Sequence, residues 1–238
     1  MIAVKVDNVT KTFKNTVALG GVSLNVNEGE LYGLLGLNGA GKTTLANILC
    51  GTLTLDGGNA EVCGYSVVSE IDKVKTVVDI SPQETSIAQN LTVRENLEFF
   101  ARLYEKPKSK AEEILNEFAL CDVAEKRAKT LSGGYARRLS IAVALVSEPK
   151  VLFLDEPTLG LDVIARRELW KIVSGLKGRI TIVLTTHYLE EVEALCDRVG
   201  VLKKGKLIAE GTVENLKKLA GADNFEDAFV KISEGANV

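Results

Sequence analysis

Apolar and polar positions change rhythm several times along the chain. Over the first 66 residues, short β-type runs, AVKVDN, VSLNV and LYGLL, alternate with turn signals such as NEGE, and a further run, AEVCG, follows the turn LDGG. These predict a strand-rich first lobe. Between Leu91 and Leu145 the period lengthens to that of a helix. Thr92 with Glu95, and Ser109 with Glu112, both match the capping-box pattern S/T-x-x-E. The apolar faces that follow are Val93, Leu97, Phe100 and Tyr104, then Ala111, Ile114, Leu115 and Phe118. A third helical pattern, RRLSIAVALV, begins just after LSGG at 131–134.

Beyond it, VLFLDE and ITIVLTTH are near-continuous apolar runs of strand length, separated by a helical pattern with Leu169, Ile172, Val173 and Leu176. Strand, helix, strand with both strands fully buried predicts a right-handed crossover in a parallel sheet. VGVLKKGKLIAEG reads as a hairpin, and NFEDAFVKI as a last amphipathic helix capped by Asn224. Without repeats or a low-complexity linker, residues 1–238 read as one interrupted domain: a core with its β lobe over 1–84 and 148–238, and a helical subdomain over 85–147.

Composition narrows the classes. A net charge of −3 from 29 basic and 32 acidic residues spread along the chain leaves no basic footprint, which argues against a charge-driven nucleic-acid partner. Cys50, Cys63, Cys121 and Cys196 lie far apart with no C-x-x-C pair, so neither a zinc site nor a disulfide framework is suggested and reduced thiols are expected. No uncharged stretch reaches the roughly 18 apolar residues of a membrane span. A membrane role would therefore run through a partner.

The chemistry is concentrated in a few stretches. GLNGAGKTT, residues 36–44, follows an apolar strand and opens a helical pattern, the context that G-x-x-x-x-G-K-[ST] requires. Gly36, Gly39 and Gly41 permit close backbone approach, Lys42 brings charge toward β- and γ-phosphates, and the Thr43 hydroxyl can ligate magnesium. LFLDEP delivers two carboxylates to the end of a strand. Asp155 suits magnesium, directly or through water, and Glu156 suits the orientation and deprotonation of an attacking water. Taken alone, such a pair is more often a solvated turn. His187, the one histidine, ends another apolar strand; beside a phosphate loop it can bond a γ-phosphate and help position the water, although a lone histidine there is ordinarily a cap or surface residue. LSGGYARR presents a helix start with bare N–H groups, a second anion site.

GLNGAGKTT, LSGG, VLFLDEP, LGLD and the TTH step, in that order, resemble the ATP-binding cassette ATPases, the nucleotide-binding subunits of ABC transporters, over nearly the whole chain. The resemblance implies an α/β fold of the P-loop NTPase (RecA-like) type: a mixed sheet core, an N-terminal antiparallel β lobe and an inserted α-helical subdomain. It implies ATP and Mg2+ as cofactors. The loop would hold nucleotide through Gly36, Asn38, Gly39, Ala40, Gly41, Lys42, Thr43 and Thr44. Phe13, in TKTFKNTVAL, would stack on adenine, where a lone aromatic is otherwise packing area. Gln83, in ISPQETS, would contact magnesium and water and hinge the helical lobe. Asp162 would act across a dimer, or cap the helix after it. In this family two subunits meet head to tail, and Ser132, Gly133 and Gly134 would close on the partner's ATP.

Three positions depart from the common family pattern: Tyr135 replaces the usual glutamine, and Leu37 and Val163 stand where proline is frequent. SGGYARRLSIAVAL, LTVRENLEFFARLY, THYLEEVEALCDRVGVLKKGKLIAEGT and FEDAFVKIS resemble the efflux branch, exporters of drugs, sodium and polysaccharides. The expectation is an ATPase subunit that powers an integral membrane permease from the cytoplasmic face, with a second ATPase subunit, homo- or heterodimeric, as partner. The alternative is a non-transport ABC ATPase acting on nucleic acid or ribosomes. Against it stand a single cassette, the absence of a heptad run and the absence of zinc-ligand cysteines.

Overall fold

The computed structural model describes residues 1–235. Strands β1 (Ile2–Phe13) and β2 (Thr16–Asn27) form one long antiparallel hairpin whose last pair is Phe13 with Thr16. The alternation in β1 breaks at Asn8, which has φ 48°, and the register shifts between Val6 and Val9. This bulge ends the run AVKVDN in sequence without ending the strand, because the ladder resumes beyond it. The hairpin tip, with Phe13, is thereby carried well beyond the point at which the alternation predicts a turn.

After β3 (Leu31–Leu35) come α1 (Lys42–Leu49), β4 (Gly57–Val62), β5 (Tyr65–Ser66), α2 (Ile71–Val77) and β6 (Val78–Ser81). The chain then leaves for α3 (Val93–Leu103), α4 (Lys108–Glu117) and α5 (Gly133–Leu145). It returns with β7 (Val151–Asp155), α6 (Val163–Gly175), β8 (Thr181–Thr186) and α7 (Leu189–Leu195). The hairpin of β9 (Arg198–Lys203) and β10 (Lys206–Gly211) follows, then α8 (Val213–Ala220) and α9 (Phe225–Glu234). Two sheets result. One is antiparallel, in the order β2-β1-β4-β5; the other runs β10-β9-β3-β8-β7-β6, parallel except for β10.

Strand alternation divides the large sheet between two cores. Leu31, Leu152, Leu154, Ile182 and Leu184 face one way and share a single apolar cluster with Leu97, Leu115, Phe118 and Leu139 of the helices. Tyr32, Leu34, Phe153 and Val183 face the other way, against α1 and the valines of the antiparallel sheet. A third cluster seats Leu216, Phe225 and Ile232 on Leu35, Val199 and Val201. The four cysteines are free. Among the described residues no helix is long and apolar enough to cross a membrane.

Local signals explain most boundaries. Thr92 and Glu95 form the capping box, and Asn224 caps α9 through the Asp227 N–H. The second capping box does not form. Pro107, with φ −65°, occupies the N-cap of α4 two residues before the predicted cap Ser109, and Glu112 turns instead to Arg94. Ala111, Ile114, Leu115 and Phe118 are buried as expected, whereas Tyr104 lies past the end of α3 and is exposed. The short helices α2, α7 and α8 have no counterpart in the sequence reading: eight residues or fewer give little periodicity to detect.

Candidate nucleotide site

The loop between β3 and α1 is shaped by three glycines for three different reasons. A Cβ on Gly36 would stand 2.3 Å from the Leu202 carbonyl oxygen, and one on Gly41, at φ 107°, would stand 2.6 Å from that of Ala18. Gly39, at φ 79°, faces open space. The first two glycines let the loop lie against the body of the protein, and the third turns its backbone outward. No side chain caps α1 and no acidic residue lies in its first turn, so its leading N–H groups are available to an anion. Asn38, Ala40 and Thr44 belong to the same loop and line the same cavity.

Lys42 folds back along this loop. Its Nζ donates to the Gly36 carbonyl at 2.7 Å and lies 3.2 Å from Glu156 Oε1, with both side chains buried. At the end of β7 the two carboxylates part company. Asp155 Oδ1 accepts the hydroxyls of Thr43, at 3.1 Å, and of Thr185. Glu156 adopts φ 48°, a left-handed conformation that strains a non-glycine residue, with its N–H bonded to the Thr185 carbonyl at 3.0 Å. Its carboxylate reaches Lys42 on one oxygen and His187 Nδ1, at 2.7 Å, on the other. Parallel pairing of Asp155 with Thr185 sets the two strand ends side by side, which brings Glu156 and His187 together.

An ionised carboxylate only accepts, so the proton of a neutral His187 sits on Nδ1 and Nε2 is left as an acceptor. The ring packs on Tyr188 at a centroid distance of 4.1 Å. Lys42, Thr43, Glu156 and His187 line a cavity of about 490 Å3 together with Phe13 at the hairpin tip and Gln83, whereas Asp155 lies behind Thr43 and is not among its lining residues. Phe13 is 46% exposed there, with the Lys11 ammonium 5.7 Å from its ring.

Ser132, Gly133 and Gly134 lie elsewhere, outside the residues that line this cavity. Ser132 precedes α5 without a side-chain capping bond, and the first turn of α5 holds no acid. Gly134 lies close against α6: a Cβ there would stand 3.0 Å from the Ala165 Cβ, a tight contact. Asp162 caps α6 through the N–H groups of Ile164 and Ala165, both at 2.9 Å. Tyr135 points its hydroxyl back into its own chain, donating to Asp122 at 2.6 Å, and that bond holds its pKa above the ordinary value. The Arg138 guanidinium covers the ring and pairs with Glu168 on α6.

Two members of this arrangement escape the sequence reading. Thr185 is one of three threonines in β8, and only the pairing of that strand with β7 sets it apart from Thr181 and Thr186. Arg137 is buried in α5 and donates to the carbonyls of Pro82, at 2.7 Å, and Gln83. Its partners are backbone atoms, which leave no trace in sequence.

Residues 19–159 match a family model described as ABC transporter. The daunorubicin resistance ATP-binding protein DrrA3 of Streptomyces coeruleorubidus is 42% identical over 229 residues, which cover 94% of this chain and 72% of that one. The doxorubicin resistance ATP-binding protein DrrA of Mycobacterium tuberculosis is 44% identical over 238 residues, covering 97% of this chain and 70% of that one. Among solved structures, an ATP-binding subunit of an ABC transporter superposes with a TM-score of 0.85 at 26% identity, covering 97% and 99% of the two chains. A dimeric ATP-binding cassette in a post-hydrolysis state bound to ADP and Pi gives 0.79 at 28% identity, covering 88% and 98%.

Proposed function

The chain belongs to the ABC transporter family as an ATP-binding, ATP-hydrolysing subunit, and from that premise we propose that it drives a drug-exporting permease through head-to-tail pairs of cassettes. The observation that carries this reading is a division of labour. Lys42, Glu156 and His187 meet on one cavity, while the bare helix start at Ser132 lies outside it. On this reading, the second anion site serves a nucleotide other than the one held by its own loop.

In this mechanism the N–H groups at Gly39–Thr44 and the Lys42 ammonium take the phosphates, and Phe13 stacks on the base. A bound phosphate competes with Glu156 for Lys42, which frees one carboxylate oxygen. Glu156, held in orientation by the Nδ1–H of His187, then accepts the proton of the attacking water. His187 lines the same cavity and serves there as the contact to the γ-phosphate.

Magnesium fits the donors present: the Thr43 hydroxyl and the Asp155 carboxylate are oxygen donors 3.1 Å apart, Thr43 and Gln83 line the cavity, and these three would hold it. No cluster of three metal-ligating side chains occurs among the described residues, as suits a cation held mainly by phosphate and water. When bound, it offsets phosphate charge.

Ser132, Gly133, Gly134 and Asp162 act on the partner's nucleotide, and loss of the shared γ-phosphate charge reopens the pair. Charge-assisted bonds worth about 1.5–3 kcal/mol each make such a phosphate an effective clamp. Export and a cytoplasmic position beneath a permease are extended from the drug-resistance relatives.

Mixing tests the composite site. A chain with Lys42→Ala and a chain with Ser132→Arg are each expected to be inactive, and their mixture to regain ATPase activity through heterodimers with one intact site. If the mixture stays as inactive as its parts, the signature does not act in trans.

A further inference from the structure

Helix α5 carries a polar stripe on a buried face. Arg137 and Ser140, three residues apart, lie on one side of the helix, and Ser147 follows beyond its end. Ser147 Oγ donates to Asp79 at 3.0 Å, Ser140 shares a 3.0 Å hydroxyl bond with Ser81, and the Arg137 fork donates to the carbonyls of Pro82 and Gln83. From C- to N-terminus, the stripe thus grips residues 79, 81, 82 and 83 in order. The last of these lines the nucleotide cavity.

Arg137 is the unusual member. It is 5% exposed, and among the described residues none of the ion pairs includes it. Burial depresses its pKa, with Asp155 as the favourable charge acting on it. A guanidinium buried against carbonyls alone is costly, and methionine would fill similar space without that cost. What arginine adds is a planar fork that fixes two successive carbonyls in one orientation. Those carbonyls flank the point at which the chain leaves β6 and Gln83 enters the cavity. One helical turn toward the N-terminus from Arg137, about 6 Å along the axis, lies Gly133.

We propose that Arg137 is a positioning residue that couples nucleotide contact at Gln83 to the orientation of the signature segment 131–134. Its importance for turnover rests on the composite-site reading, but the coupling itself lies within one chain. Movement of the 82–83 backbone toward a phosphate is passed through the fork to α5, which is rigid enough to carry it to its own N-terminus. Ser140 and Ser147 anchor the helix to β6 and make no contact with Gln83.

The test uses the full chain with Arg137→Met, Arg137→Lys and Ser140→Ala. In the wild type, kept dilute enough to stay monomeric, ATP is expected to change amide hydrogen exchange both at 38–44 and at 131–136. Arg137→Met keeps the first change and loses the second. Arg137→Lys behaves like Arg137→Met, since a single ammonium cannot hold two carbonyls in a plane, whereas Ser140→Ala keeps both changes. In ATPase assays Arg137→Met lowers kcat about tenfold with KM for ATP within threefold. The proposal is overturned if the wild-type monomer shows no ATP-dependent change at 131–136, or if Arg137→Met retains it. It is equally overturned if Ser140→Ala and Arg137→Met lose activity only in proportion to lost folded protein. If the monomer result holds while the mixed Lys42→Ala and Ser132→Arg chains stay inactive, the coupling stands and the composite site falls.

Discussion

Glu156→Gln keeps the size of the side chain and removes a single charge, and the geometry dictates how the neighbours must rearrange. The carboxylate pairs with the Lys42 ammonium on one oxygen, at 3.2 Å, and accepts from His187 Nδ1 on the other, at 2.7 Å. An amide has one acceptor and one donor end. Its oxygen must face Lys42, which only donates, so its NH2 faces His187, and Nδ1 must give up its proton to accept. The variant therefore moves the imidazole from the Nδ1–H to the Nε2–H tautomer.

Because the chain has one histidine, 15N-histidine NMR of each protein gives a single ring to assign. Loss of the general base lowers kcat by about 10²- to 10⁴-fold, or about 3–5 kcal/mol of transition-state stabilisation. ATP binding survives, and the ATP-bound pair accumulates. An ATPase rate within tenfold of wild type, or an unchanged tautomer, would refute the assignment of Glu156.

Two further outcomes concern stability. Glu191 is fully buried, with one oxygen 3.3 Å from Trp170 Nε1 and the other without a hydrogen-bond partner, and burial raises its pKa. The folded chain thus holds this proton to higher pH than the unfolded chain. Glu191 accordingly contributes a loss of stability as pH rises from the ordinary carboxylate range through its raised pKa. Glu191→Gln is expected to melt above the parent at pH 8, with the difference shrinking toward pH 4; a pH-independent difference in Tm contradicts it. Gly36→Ala, whose Cβ collides with a carbonyl, should cost about 1–3 kcal/mol by overpacking. Gly39→Ala meets open space and should cost only its backbone strain, about 1 kcal/mol. Chemical denaturation that reverses this order would contradict the packing account.

Residues whose chemistry demands a particular type were legible in sequence. A phosphate loop needs its glycines, lysine and threonine in fixed order, and carboxylates delivered by an apolar strand stand out, so Lys42, Thr43, Asp155 and Glu156 could be picked out from spacing. His187 was legible as a strand-end imidazole, but its bond to Glu156 depends on the pairing of β7 with β8. Tyr135 was visible as a departure while its partner Asp122 was not, since the two lie 13 positions apart with no shared periodicity between them. The bulge at Asn8 hid the reach of the first hairpin, and the proline before α4 displaced a cap that matched its pattern.

The shared cluster beneath the helices limits how this molecule can move. Phe118, Leu139 and Leu115 are as deeply buried as the sheet residues Leu152, Leu154 and Ile182, and all six belong to one apolar cluster. A helical region attached in this way cannot swing open like a jaw without wetting its own interior. The motion left to it is shear: small slides of close-packed aliphatic surfaces that keep the interior dry throughout a cycle.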